Sequence, residues 1–119
     1  MLYTDILGII AEEEEAQRHE DAVESLLRML YKLLREPLEE RISRAQNNGE
    51  WLHLSEKECA ALHDGAKFHF KLQVDRLRHE QHRTRAKLDA LRRTKAQAKR
   101  VLATELASQR KRHLNSSVT

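Results

Sequence analysis

From residue 50 to residue 119 the chain contains no proline and a single glycine, Gly65. Ala, Leu, Glu, Lys, Arg and Gln dominate this stretch, and these residues lose the least conformational freedom when they enter a helix. The whole chain has only three glycines and one proline, which leaves little turn chemistry for a β-sheet. The sequence therefore predicts an all-α fold that is built from long helices.

Two breaks interrupt the first half of the chain. Pro37 removes a backbone donor and disfavours α geometry at the preceding residue, so the N-terminal arm, residues 1–46, is expected to kink or break there. Asn47-Asn48-Gly49 follows, and all three residues tolerate positive φ. We therefore expect a turn or loop over residues 47–55.

A capping box predicts where the second long helix begins. The Ser55 side chain is placed to accept a hydrogen bond from one free amide, and Glu58 reaches back to another. The helix that follows is expected to cover residues 56–113. A disordered tail is expected over residues 114–119.

Charge is divided between the two halves of the chain. Residues 1–60 carry 14 acids and 7 bases, a net charge of −7, whereas residues 61–119 carry 5 acids and 15 bases, a net charge of +10. Such asymmetry indicates either that the halves lie against each other or that the basic half meets an acidic partner.

Apolar residues recur at three- and four-residue steps in both arms, as in amphipathic helices that share a seam. The predicted architecture is an elongated helical hairpin, or coiled-coil-like bundle, that forms a single domain. A bend at residues 47–54 would place residue i beside about residue 101 − i, with Glu12–Glu15 facing Arg85 and Lys87. The seam is expected to contain the following residues: Leu26, Leu30, Leu33, Leu34, Leu62, Phe70 and Leu77.

The N-terminal seam is richer in apolar residues than the stretch that the hairpin places opposite it. This surplus favours a homodimer, completed through residues 2–10 and 88–106.

A basic stripe is the leading candidate for a binding surface. Residues 76–100 hold ten Lys or Arg and two acids. Four of these bases recur every seven residues along one side of the helix: Arg78, Arg85, Arg92 and Lys99. The stripe could meet the chain's own acids, an acidic protein partner or the phosphates of a nucleic acid. No aromatic residue lies within it, so stacking on single-stranded bases is not expected.

Two pairs of side chains have spacings that suit metal ligands on a helix: Cys59 with His63, and His79 with His82. A structural zinc site needs four ligands, and neither pair supplies them, so the sequence favours packing for Cys59 and a polar face for the histidines. No cofactor is expected. The acidic run Glu12–Glu15 has no cleft around it, and neither a phosphate-binding loop nor a nucleophile motif occurs, so the sequence does not indicate an enzyme.

Cysteine content and hydropathy bear on the cell compartment. The single cysteine fits a reducing environment, the apolar start lacks a basic leader, and no apolar run approaches the roughly 20 residues of a membrane span. We therefore expect a cytoplasmic or nuclear protein without a membrane partner. The sequence favours a helical adaptor or regulator that binds another protein, with nucleic-acid binding by residues 76–100 as the alternative.

Overall fold

A computed structural model describes the backbone of residues 3–118 and the side chains of residues 3–115. Within that range the chain forms three helices: α1, Tyr3–Arg35; α2, Leu38–Asn47; and α3, Glu56–Val118. The described residues contain no strand. The prediction of an all-α helical hairpin is confirmed.

The breaks in the chain follow its breaker residues. α1 ends at Arg35, and Pro37 adopts an extended conformation, with φ −66° and ψ 154°, immediately before α2. After α2, Gly49 has φ 76°, a left-handed conformation that suits a residue without a Cβ. Trp51 also has positive φ, 59°, and the guanidinium of Arg41 lies 4.0 Å from the centre of its ring, a contact that holds the loop against α2.

The capping box at the start of α3 forms as predicted. The Glu58 amide donates to Ser55 Oγ at 3.2 Å, and the Ser55 amide donates to Glu58 Oε1 at 3.2 Å. These two bonds satisfy amides that have no partner within the helix, so α3 begins at Glu56.

α3 does not end at His113. It continues to Val118, so residues 114–118 are helical where the sequence predicted a disordered tail, and Thr119 lies outside the described residues. The reason is that no glycine or proline follows His113, and Asn and Ser only weakly oppose a helix that is already formed.

The chain packs as two compact units, each of which contains a part of α1 and a part of α3. The turn unit comprises residues 21–82 and includes α2. The terminal unit comprises the remaining residues, of which the structure describes 3–20 and 83–118.

In the turn unit, α1 and α3 run antiparallel around a small apolar core. Four residues form its buried centre: Val23, Leu27, Leu30 and Val74. Four partly buried side chains pack against it: Tyr31, Leu34, Phe70 and Leu77. The α1 residues Val23, Leu27, Leu30 and Leu34 alternate steps of four and three, which is the spacing of a coiled-coil seam.

In the terminal unit α1 and α3 also run antiparallel, around a thinner and more polar seam. Its buried apolar residues are Ile6, Ala16, Leu88 and Ala98. Glu20 and Thr84 are buried among them. Small and polar residues thus occupy positions that hold leucine or valine in the turn unit.

The alignment of the two long helices differs from the predicted one. In the terminal unit Arg85 contacts Glu20, and in the turn unit Gln81 contacts Glu24. The residue numbers of each pair add to 105 rather than 101. Glu12–Glu15 therefore does not face Arg85 and Lys87, and within that run Glu13 contacts Arg92 and Lys95 instead.

Candidate protein-binding surface

The predicted basic stripe flanks the seam, and three of its four side chains contact α1. In the turn unit, the Arg78 guanidinium lies 5.4 Å from the centre of the Tyr31 ring. In the terminal unit, Arg85 Nε donates to Glu20 Oε1 at 2.8 Å, and Arg92 Nη2 donates to Gln17 Oε1 at 2.8 Å.

Lys99 is exposed and makes no ion pair or hydrogen bond with another described residue. Three guanidinium groups of the stripe are thus held by the hairpin itself, at the positions where coiled coils place their interhelical ion pairs. The role of the stripe in binding a partner stays a prediction.

Two carboxylates occupy the seam of the terminal unit. Glu13 forms ion pairs with Lys95 and, at 3.6 Å, with Arg92, and one carboxylate oxygen of Glu13 and one of Glu20 are inaccessible to solvent. The hydrogen bond from Lys95 lowers the pKa of Glu13 below its ordinary value of 4.5, although partial burial opposes the shift. Glu13 is therefore ionised at neutral pH, and its charge is neutralised within the seam.

The turn unit leaves one flank of its seam open. A groove of about 360 Å³ runs beside the core, between Leu26, Met29 and Leu30 of α1 and Gln73, Arg76 and Leu77 of α3. Leu26 is 45% exposed and Met29 is 51% exposed, although both lie next to the buried Leu30. The opposite flank is covered by Arg78 on Tyr31 and by the hydrogen bond from Gln81 Nε2 to Glu24, 2.7 Å long.

The observed seam differs in part from the predicted one. Leu30 is buried, and Leu33, Leu34, Phe70 and Leu77 are partly buried, but Leu26 and Leu62 are exposed. The seam uses Val23, Leu27 and Val74 in their place. Leu26 is excluded because a seam that passes through Leu27 and Leu30 turns the residue before Leu27 toward the flank.

The two candidate pairs of metal ligands differ in burial. Cys59 and His63 are buried, whereas His79 and His82 are exposed. Within the part of the chain that the structure describes, no three side chains of His, Cys, Asp or Glu lie close enough to hold a metal ion.

The proposed dimer contacts are partly used within the chain. Ile6, Leu88 and Ala98 are buried in the seam of the terminal unit, whereas Tyr3 and Leu7 are exposed. Residue 2 lies outside the described residues. Dimerisation through residues 2–10 and 88–106 stays a prediction, with fewer free apolar side chains to support it.

Among residues 3–118, no helix combines the length and the apolar character that crossing a bilayer requires. The chain matches no protein-family model, no curated protein and no solved structure.

Proposed function

We propose that the chain is a non-enzymatic helical interaction protein, an adaptor or regulator, that binds an amphipathic helix of a partner protein in the groove of the turn unit. The observation that carries this proposal is the exposure of Leu26 and Met29 beside a formed core. Apolar side chains that flank a completed seam, and that no element of the turn unit covers, are typical of a surface that another helix occupies.

The shape of the groove supports a helix as the occupant. Two antiparallel helices form its walls, and a third helix that packs into such a groove buries its apolar side chains against both, as helices do in bundles. The α1 wall offers Leu26 and Met29, three residues apart, which suits a ligand whose apolar side chains recur at three- and four-residue steps.

Charge on the α3 wall supports an acidic partner. Arg76 lines the groove, is exposed, and makes no ion pair with another described residue. Gln73 beside it is neutral and donates or accepts hydrogen bonds. A helix with leucine-like residues on one face and Asp or Glu at the edge would therefore match the apolar wall and the cationic wall together.

The test compares one substitution inside the groove with a matched one outside it. Leu26→Glu places a charge in the groove, and Leu106→Glu places the same charge on a leucine of the terminal unit that is 56% exposed. Proteins that wild type and Leu106→Glu retain from the native host, but Leu26→Glu does not, are candidate partners. Direct binding is then measured with the purified candidate and with a peptide of its amphipathic helix.

We expect Leu26→Glu to weaken that binding at least about tenfold, because a carboxylate would be desolvated against apolar side chains. Equal binding by Leu26→Glu and Leu106→Glu would refute the groove as the site. Nucleic-acid binding is the alternative outcome: retention on duplex DNA or RNA at about 0.15 M salt that is lost in Arg93→Glu/Arg100→Glu would support it. Those two arginines are exposed, so their substitution leaves the contacts of Arg85 and Arg92 with α1 intact.

A further inference from the structure

A small pocket lies in the turn unit where α1, α2 and α3 meet, and its volume is about 200 Å³. Leu33 of α1 and Phe70 of α3 form an apolar part of its wall. Five polar or charged side chains also line it: Glu36, Arg41, Arg44, His63 and Lys67. The pocket therefore joins an apolar wall to a group of cations.

His63 is the lining residue that packing within the chain does not explain. Its side chain belongs to a residue that is only 7% exposed, yet it makes no hydrogen bond or ion pair with another described residue. The ring lines the pocket, and neither ring nitrogen is wholly inaccessible to solvent. Buried polar groups normally have a hydrogen-bond partner, because desolvation without one costs free energy. His63 thus presents a polar group that a molecule bound in the pocket would satisfy.

The charges around His63 favour an anion as that molecule. Three cations line the pocket against one anion, Glu36. Glu36 is already engaged, since Arg44 donates two hydrogen bonds to its Oε1 atom, at 2.9 and 3.3 Å. Lys67 is partly buried and makes no ion pair or hydrogen bond with another described residue. The charge of its ammonium group is therefore left for an anion to neutralise.

We propose that this pocket binds a small organic carboxylate with a short apolar chain. The two carboxylate oxygens match two donors, the ammonium group of Lys67 and an N–H group of His63. The apolar chain would lie against Leu33 and Phe70. A volume of about 200 Å³ corresponds to about six or seven water molecules, so a molecule of about six to eight non-hydrogen atoms, such as pentanoate, matches its size.

The experiment is a titration of the full chain with pentanoate up to about 20 mM at constant ionic strength, followed by two-dimensional NMR. We expect saturable shifts at the backbone amides of α2 and of residues 63–70, with a dissociation constant of about 0.1–1 mM. Two further probes separate the charge from the apolar chain. 1-Pentanol lacks the charge and inorganic phosphate lacks the apolar chain, so each should bind at least about tenfold more weakly.

Matched variants locate the bound anion. Lys67→Met removes the ammonium group and should raise the dissociation constant at least about tenfold. Lys71→Met makes the same change one turn further along α3, at an exposed lysine outside the pocket, and should leave the constant unchanged. His63→Leu should raise it about three- to tenfold, because it removes the N–H donor.

Thermal unfolding followed by circular dichroism separates loss of binding from loss of folding. Lys67→Met should melt no lower than wild type, because it removes one of three cations that line the same pocket. The pocket shares no lining residue with the groove, so this inference does not depend on the proposed function.

A titration with pentanoate that does not saturate by 20 mM would overturn the proposal. Equal binding by Lys67→Met and Lys71→Met would also overturn it, because the carboxylate would then lie elsewhere. Binding of 1-pentanol as tight as that of pentanoate would refute recognition of the charge, and tighter binding of phosphate would refute a carboxylate as the ligand.

Discussion

Leu26 and Leu27 are adjacent in sequence and chemically identical, yet they differ in burial. Leu27 is 4% exposed within the core, whereas Leu26 is 45% exposed on the groove. Truncation of a buried leucine to alanine costs about 2–5 kcal/mol, and the open flank beside Leu27 lets neighbours relax toward the lower end. We therefore expect Leu27→Ala to lower the free energy of unfolding by about 2–3 kcal/mol. Leu26→Ala should lower it by less than about 1 kcal/mol, because much of that side chain is already in water.

Thermal or urea unfolding followed by circular dichroism measures this difference. For a chain of this length each kcal/mol corresponds to roughly 3–6 °C in melting temperature, so Leu27→Ala should melt at least about 6 °C below wild type. Leu30→Ala, which truncates another buried core residue, should behave like Leu27→Ala. Equal destabilisation by Leu26→Ala and Leu27→Ala would show that the seam follows a different set of positions.

Three further perturbations test the polar contacts. Because the folded-state pKa of Glu13 is lowered, its ionisation stabilises the fold above the ordinary pKa of 4.5, and this contribution is lost as pH falls through the folded value; Glu13→Gln should therefore show a smaller loss of stability than wild type in an acid titration followed by denaturant unfolding. Arg85→Ala should destabilise by about 1–2 kcal/mol, since it removes the guanidinium from the buried Glu20; a double-mutant cycle with Glu20→Gln checks that the loss comes from this pair. Ser55→Ala should cost about 1 kcal/mol in denaturant unfolding through loss of the cap on α3, and an unchanged midpoint would contradict the capping role.

Local sequence signals predicted the helices well, because they act through neighbouring residues. Ser55 and Glu58 are three residues apart, and their hydrogen bonds do not depend on the rest of the fold. Pro37 acts on its own backbone and on the residue before it. Such features define where the helices begin and break whatever those helices pack against.

Alignment of the helices depends on packing, and the sequence predicted it wrongly. The predicted bend ignored the space that α2 occupies. α2 packs against the beginning of α3, where Arg41 and Arg44 line a pocket with His63 and Phe70, and Ala45 is fully buried. α1 therefore meets α3 further along the chain than a simple turn would allow.

Adjacent leucines also made the seam positions hard to predict from the sequence. Leu26 and Leu27 satisfy an apolar period equally well, and only the facing helix decides which of the two is buried. Val74 lies between polar Gln73 and Asp75, so a search for long apolar runs overlooks it. Leu26, Leu27 and Met29 make the apolar face of α1 wider than a single seam requires. This width is the sequence signal that could have predicted a groove.

Glu13 and Lys95 limit how the two arms of the terminal unit can slide along each other. The seam positions seven residues before and after Lys95 are Leu88 and Leu102, so a shift by one heptad in either direction would set the Glu13 carboxylate against a leucine. The contact of Arg85 with Glu20 does not fix the alignment in this way. After a shift of one heptad, Arg78 or Arg92 would take the place of Arg85, because these arginines lie seven residues before and after it. Deletion of seven residues from one arm, between its residues in the Glu13–Lys95 and Glu20–Arg85 contacts, would therefore preserve folding only if seven residues were also deleted from the other arm.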